Sequence, residues 1–190
     1  VSDGTRGDTR SRIQTVALEL FTEQGYEKTS LREIAERLDV TKAALYYHFK
    51  SKDDIVASVV EDRIRRLDEL IAWAESRPAD REHRRQILAR YSDGFFTNEN
   101  VLVMRFFERN QTVLKNLTAG QRMRDRLLRT ADVLARGDDS PTAHLRATLA
   151  LFAVHSSWFA IRTPDLDDTG RQKIALDVAY ELVDQIGGAD

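Results

Sequence analysis

The chain has 190 residues, with 29 Lys and Arg against 31 Asp and Glu, a formal net charge of −2, and no cysteine. Such a length holds one compact domain or a small domain fused to a larger one, and the 42% hydrophobic and 32% charged content describes a well-cored, largely helical protein. The missing cysteines exclude disulfides, thiolate metal sites and cysteine nucleophiles, and no apolar run approaches the roughly 20 residues that span a bilayer. A cytoplasmic location is expected. The polar start predicts no signal peptide, and the absent initiator Met points to a trimmed N-terminus.

In chain order, residues 9–24 place Ile13, Val16, Ala17, Leu20 and Phe21 at spacings of three and four, the period of an amphipathic helix. Thr9 is the expected N-cap and Gly25 the expected stop, with Tyr26 packing back over the helix end. Ser30-Leu31-Arg32-Glu33 reads as a capping box, in which Ser30 accepts from a first-turn amide and Glu33 reaches back to the cap amide. Leu31, Ile34, Ala35 and Leu38 form the buried stripe of that second helix. Asp39-Val40 makes a tight turn. Thr41 caps a third helix whose buried positions are Leu45 and Phe49, four apart. Ser51-Lys52-Asp53-Asp54 opens a long helix to about Glu75, its two acids suited to a helix N-terminus.

The stretch from Ser76 to Asp80 is a clean break, and the three prolines, Pro78, Pro141 and Pro164, all fall at such breaks. Further helices are expected near 81–96, 99–112, 117–136, 141–162 and 167–186. The last two carry a second signal. Leu145, Leu149, Phe152, Ser156 and Phe159 share one face of 141–162, while Ala143, Ala147, Leu151, Val154, Trp158 and Ile161 fill much of the rest. In 167–186, Ala175, Val178, Ala179, Leu182 and Ile186 form a stripe. Helices apolar over more than half their circumference bury more than one side, and a subunit interface supplies the second side.

A capped helix, a tight turn and a second short helix, Thr41 to Phe49, make a helix-turn-helix, whose second helix fits a DNA major groove. The charge balance stands against this at first sight, since residues 1–55 carry nine Lys and Arg and ten Asp and Glu. Placement resolves it. From Val40 to Lys52 there are three lysines and no acid, and charges beyond about 10 Å are largely screened. Arg6, Arg10 and Arg12 either form a DNA-contacting arm or belong to a frayed terminus.

The residues Ala17, Phe21, Gly25-Tyr26, Thr29-Ser30, Ile34-Ala35, Val40, Leu45-Tyr46, His48-Phe49 and Lys52, between Ile13 and Ile55, resemble the N-terminal region of the TetR family of bacterial transcriptional regulators. The resemblance covers about a quarter of the chain, and beyond Ile55 it is architectural only. One departure is Asp39, where the family usually has glycine in the turn. The resemblance implies an all-α homodimer: an N-terminal three-helix helix-turn-helix domain over residues 1–53, and a larger helical ligand-binding and dimerisation domain over 54–190, dimerising through the last two helices. It implies a repressor that leaves a palindromic operator when a small-molecule effector changes the separation of its two reading heads.

Lys42 sits in the first turn of the recognition helix, where side chains reach base edges or phosphate. Ala43 and Ala44 allow close approach and contact with thymine methyls. Tyr46 and Tyr47 cannot both be core if Leu45 and Phe49 hold the buried face, so one or both phenols, with His48 and Lys52, are expected on phosphate. Thr29, Ser30 and Thr41 complete the expected DNA-facing set, although capping alone also accounts for Ser30. For the effector, the candidates are Trp73, Tyr91, Phe95, Met104, Phe107, Gln111, His155, Trp158 and Phe159, with Phe96 and Phe106 nearby in sequence. Each is equally a core residue by periodicity.

The sequence offers no catalytic residue, metal site or cofactor motif. His144 and His155 are eleven residues apart, about 16 Å along a helix, too far to share a metal. Neither a phosphate-cradling glycine loop nor a nucleophile elbow occurs. Two other readings stand beside the effector-released repressor: a regulator controlled by a protein partner or by abundance, and a helical-bundle enzyme that has kept the N-terminal fold.

Overall fold

In the computed structural model the backbone is described for residues 3–97, 102, 103, 106, 118–163 and 165–187, and side chains for 9–97, 102, 103, 106, 120–163 and 165–187. The fold is all-α. The helices are α1 (Asp3–Glu23), α2 (Leu31–Arg37), α3 (Lys42–His48), α4 (Lys52–Glu75), α5 (Arg81–Phe95), α6 (Thr118–Ala135), α7 (Pro141–Ala160) and α8 (Asp168–Val183). The expected helix over 99–112, with Met104, Phe107 and Gln111, lies outside the described residues, save that Leu102, Val103 and Phe106 are helical.

Local chemistry sets most boundaries. Ser30, Thr41, Asp80, Ser140 and Asp167 each hold the extended conformation of an N-cap and accept from the amide three residues on. Pro141 takes the first position of α7, where a missing N–H costs nothing. Gly25 and Gly137 have φ of +98° and +92° and end α1 and α6 in the left-handed conformation that glycine adopts without strain. One boundary corrects the sequence reading: α1 begins at Asp3, so Thr9 is an interior residue and Arg6, Arg10 and Arg12 ride on a helix instead of forming an arm.

The chain divides into two compact units, Val1–Arg63 with Asn98–Gln121, and Ile64–Thr97 with Arg122–Asp190, and α4 belongs to both. In the N-terminal unit, Ile13, Ala17, Phe21, Ile34, Leu45, Phe49, Ile55 and Val56 pack with Val103 and Phe106 into one apolar core. Phe106 lies 5.5 Å from the Phe21 ring and 5.8 Å from Tyr26. It is a core residue of this unit, which removes it from the effector candidates.

The C-terminal unit is built on α5, α7 and α8, with α8 packed most extensively on α7. Ala143, Ala147, Ala150, Leu151, Val154, Ala175, Ala179 and Val183 are buried. Small residues at this seam let the two helix axes approach closely. At the other side of α5, Arg84 is only 5% exposed. Its guanidinium donates to the carbonyls of Leu134 (3.0 Å), Arg136 (3.1 Å) and Ile186 (3.1 Å), which end α6 and follow α8. Burial lowers its pKa, and Asp138 and Asp80 act in the opposite sense. Asp184 caps α8 and accepts from Arg81 (2.6 Å) and Arg85, tying that end to α5.

Candidate functional site

The short helix α3 presents two faces. Leu45 and Phe49 turn inward at 0% and 3% exposure, as their spacing predicts. Thr41, Lys42, Ala43, Ala44 and Tyr47 are exposed, while Tyr46 and His48 are half-buried. Tyr47 is 65% exposed and meets only the His48 ring, edge-on at 5.3 Å, among the described ring contacts. An aromatic side chain left in water at this cost is one available to a partner. The Lys42 ammonium lies 5.5 Å from the Tyr46 ring centroid, a cation held over a π face next to the exposed alanines.

The turn before α3 is held by Val40 donating to the Ala35 carbonyl (3.0 Å) and Asp39 to Glu36 (3.2 Å). Asp39 carries φ +54°, the left-handed conformation, so it takes the place of the expected glycine and keeps the angle between α2 and α3.

Several of the acids that make the head look electrostatically unsuited are engaged by neighbouring groups, as is Asp62 of α4. Glu33 is tied into the capping box at Ser30, which holds its carboxyl below its ordinary pKa. Glu36 pairs with Arg32 at 2.7 Å, Glu23 with Arg37 at 3.6 Å and Asp62 with Arg10 at 3.3 Å. Asp54 accepts from the Lys50 amide and Asp53 from the Tyr26 hydroxyl. The surface of α3 therefore shows cations and hydroxyls with no acid of its own.

Two expected DNA-facing residues have different surroundings. Thr29 is 2% exposed, and its hydroxyl donates to the Gly25 carbonyl (2.8 Å) and accepts from Gln24 (3.2 Å). The side chain closes the turn after α1 and is spent there, so it leaves the DNA-facing set. Lys52 is half-buried; its ammonium donates to the Tyr26 carbonyl (2.5 Å) and sits 4.5 Å from the Tyr26 ring centroid. With Asp53 on the same phenol, it fastens the start of α4 to the loop after α1. Burial and Asp53 together push the Tyr26 phenol above its ordinary pKa. Gln14 adds a seam between α1 and α4, donating to Ser58 (2.9 Å) and Asp62 (2.8 Å). The sequence reading missed this seam because Gln14 and Ser58 are ordinary polar residues until the two helices are paired.

In the C-terminal unit the effector candidates separate. Trp73 is half-buried and flanked by Arg90 (4.1 Å), Arg77 (4.7 Å) and the His83 ring (4.9 Å), apart from the other aromatic candidates among the described ring contacts. Phe159 is 56% exposed, on the outer face of α7 with Leu145, Leu149 and Phe152, and it leaves the pocket set. Tyr91, Phe95, His155 and Trp158 come together. The Tyr91 hydroxyl bonds His155 Nε2, the Phe95 ring lies 4.9 Å from His155, and Phe96 stacks on Trp158 at 5.8 Å. Arg171 of α8 joins them, its guanidinium 5.4 Å from the Trp158 ring. Nothing in the local sequence marks Arg171, which lies in a polar first turn. Among the described residues no three His, Asp or Glu cluster as metal ligands, and no described helix is long and apolar enough to cross a membrane.

A family model described as bacterial regulatory proteins, tetR family, matches residues 13–59. The HTH-type transcriptional regulator AcrR of Shigella flexneri is 48% identical over 54 residues, a stretch that is 28% of this chain and 25% of that regulator. The HTH-type transcriptional regulator TcmR of Streptomyces glaucescens is 29% identical across 91% of this chain and 80% of its own length. Among solved structures, the TetR family transcriptional regulator PfmR of Thermus thermophilus superposes with a TM-score of 0.63 at 28% identity, covering 94% of this chain and 99% of that one.

Proposed function

The chain belongs to the TetR/AcrR family of transcriptional regulators, and from that premise we propose that it is a homodimeric repressor released from a palindromic operator by a small-molecule effector. That it is a DNA-binding transcriptional regulator follows from the family; the operator, the effector and the dimer are the proposal. The observation that carries it is the outer face of α3: Thr41, Lys42, Ala43, Ala44 and Tyr47 stand exposed on a helix fixed from behind by Leu45 and Phe49. Lys42 and the alanines are assigned to base edges and thymine methyls, and Tyr46, Tyr47 and His48 to phosphate oxygens. Ser30 and Thr41 flank them at the helix N-termini, and Lys52 keeps α4 in place while offering its remaining N–H to the DNA backbone.

The reading part is assigned to residues 1–53 and the sensing and dimerising part to 54–190. The exposed stripe of Leu145, Leu149, Phe152 and Phe159 on α7, with Ile174 and Val178 on α8, supports a second copy as its cover. A contiguous apolar face of this kind marks an interaction site. Two recognition helices on a twofold dimer would enter successive major grooves about 34–36 Å apart. An effector held in the C-terminal unit would act through α4, whose first turns carry the Lys52 and Asp53 contacts to the reading head.

The test is selection of bound fragments from genomic DNA by the purified protein at moderate salt. Recovery of a near-palindrome with half-sites about one helical turn apart is the expected result. Failure to enrich any sequence over random fragments would overturn it.

A further inference from the structure

In the C-terminal unit the buried Arg126 Nε has the Asp68 carboxylate 2.5 Å away, whereas Trp158 Nε1 and Arg171 Nε are buried N–H groups with no hydrogen-bond acceptor among the described residues. They belong to neighbouring side chains, the Arg171 guanidinium lying 5.4 Å from the Trp158 ring. A buried donor without a partner loses its hydration and gains nothing in return, so native proteins seldom leave one, and two side by side call for an acceptor. Arg171 is already held in place, since one terminal nitrogen donates to the Ser157 (2.7 Å) and Ile161 (2.9 Å) carbonyls at the end of α7. Among the described residues no carboxylate pairs with it. The positive charge thus lies beside the Trp158 ring, which stacks on Phe96, and Phe96 continues through Phe95 to Tyr91, itself bonded to His155, as one run of aromatic side chains.

We propose that this cluster binds a planar aromatic carboxylate, its oxygens accepting from Trp158 Nε1 and Arg171 Nε and its ring packed among the aromatic side chains. A guanidinium without a carboxylate partner favours an anionic acceptor over a neutral one, because hydrogen bonds to a charged oxygen are roughly twice as strong. The aromatic walls favour a flat body, and His155 with Tyr91 adds a polar edge beside the apolar rings. This names the effector class for the regulator proposed above and rests on that reading.

The probe is 2-naphthoate, compared by calorimetry with its methyl ester and with naphthalene. The chain has two tryptophans, so Trp73→Phe leaves Trp158 as the sole indole reporter, and its emission locates the binding. Naphthoate is expected to bind about tenfold more tightly than the ester, with a change in Trp158 emission, and naphthalene more weakly still. Trp158→Phe keeps the ring and removes the N–H, and Arg171→Lys keeps the charge and the helix-end contact but loses Nε. Both should weaken naphthoate about tenfold and leave naphthalene unchanged, with helical circular dichroism intact. Equal affinities for naphthoate and naphthalene would overturn the acceptor site, as would no binding of naphthoate at all, the outcome if only water satisfies the two donors. Selection of genomic fragments is a separate readout. A recovered palindrome without naphthoate binding sinks this inference and leaves the regulator standing, whereas naphthoate binding without DNA enrichment does the reverse.

Discussion

Tyr47 is the residue whose exposure has the clearest consequence. Its hydroxyl contributes nothing to the core at 65% exposure, so Tyr47→Phe should leave stability within about 0.5 kcal/mol. Operator affinity should fall about tenfold, the scale of one hydrogen bond to a charged oxygen. Fluorescence anisotropy on the selected operator, paired with a thermal melt, separates the two effects; unchanged affinity would remove Tyr47 from the interface. Asp39 presents the opposite case, a residue whose backbone matters and whose side chain is exposed. Replacing it by glycine relieves about 1–2 kcal/mol of left-handed strain and costs roughly 0.5–1 kcal/mol of chain entropy. Asp39→Gly should therefore gain about 0.5 kcal/mol, read as a higher urea midpoint. At this scale the reading head was largely legible, because caps, turns and a two-position core are local. Thr29 was not: its hydroxyl turns inward to carbonyls at Leu20 and Gly25 that only the folded turn brings within reach.

Between elements, side chains far apart in sequence carry the joints. Asp184, at the end of α8, is held by Arg81 and Arg85 of α5, and their hydrogen bonds keep its carboxyl well below the usual range. An unfolded aspartate titrates near about 3.9. The contribution of Asp184 is accordingly complete above that pH and drains away as the pH falls toward the lower folded value. Asp184→Asn should melt earlier than the wild type at neutral pH, and the gap should narrow at about pH 3. Melts at both pH values check it, and a constant gap would show that the carboxylate charge is not what matters. The charged run Arg81-Glu82-His83-Arg84-Arg85 hid this joint from the sequence reading. His83 and Arg84 are each 5% exposed, although their types read as surface. Their spacing to Ile87, Leu88, Tyr91 and Phe95 puts them on the buried stripe of α5, and periodicity weighed above residue type would have found them.

For the whole molecule, the outer face of α7 decides whether one copy is enough. The fold splits the apolar positions along 141–162 into a buried set and an exposed one, with Phe152 at 53% and Phe159 at 56% exposure. Periodicity marked both faces as apolar but could not say which faced the rest of its own chain. Phe152→Glu places a charge at the centre of the exposed stripe, and burying it against a second copy would leave it unpaired. The variant should sediment as a monomer and lose at least about tenfold in operator affinity, since a lone reading head forfeits the effective concentration of its twin. A dimer by sedimentation velocity would place the interface elsewhere.

Arg84 has a consequence of a different kind. One guanidinium satisfies carbonyls of Leu134, Arg136 and Ile186, so none of these chain segments can open without stranding a buried cation. Their fluctuations are shackled together. Slowly exchanging amides in the first turns of α5, at the end of α6 and around Val183–Ile186 should share a single opening free energy under native-state hydrogen exchange, and in Arg84→Met they should fall apart into separate, lower ones.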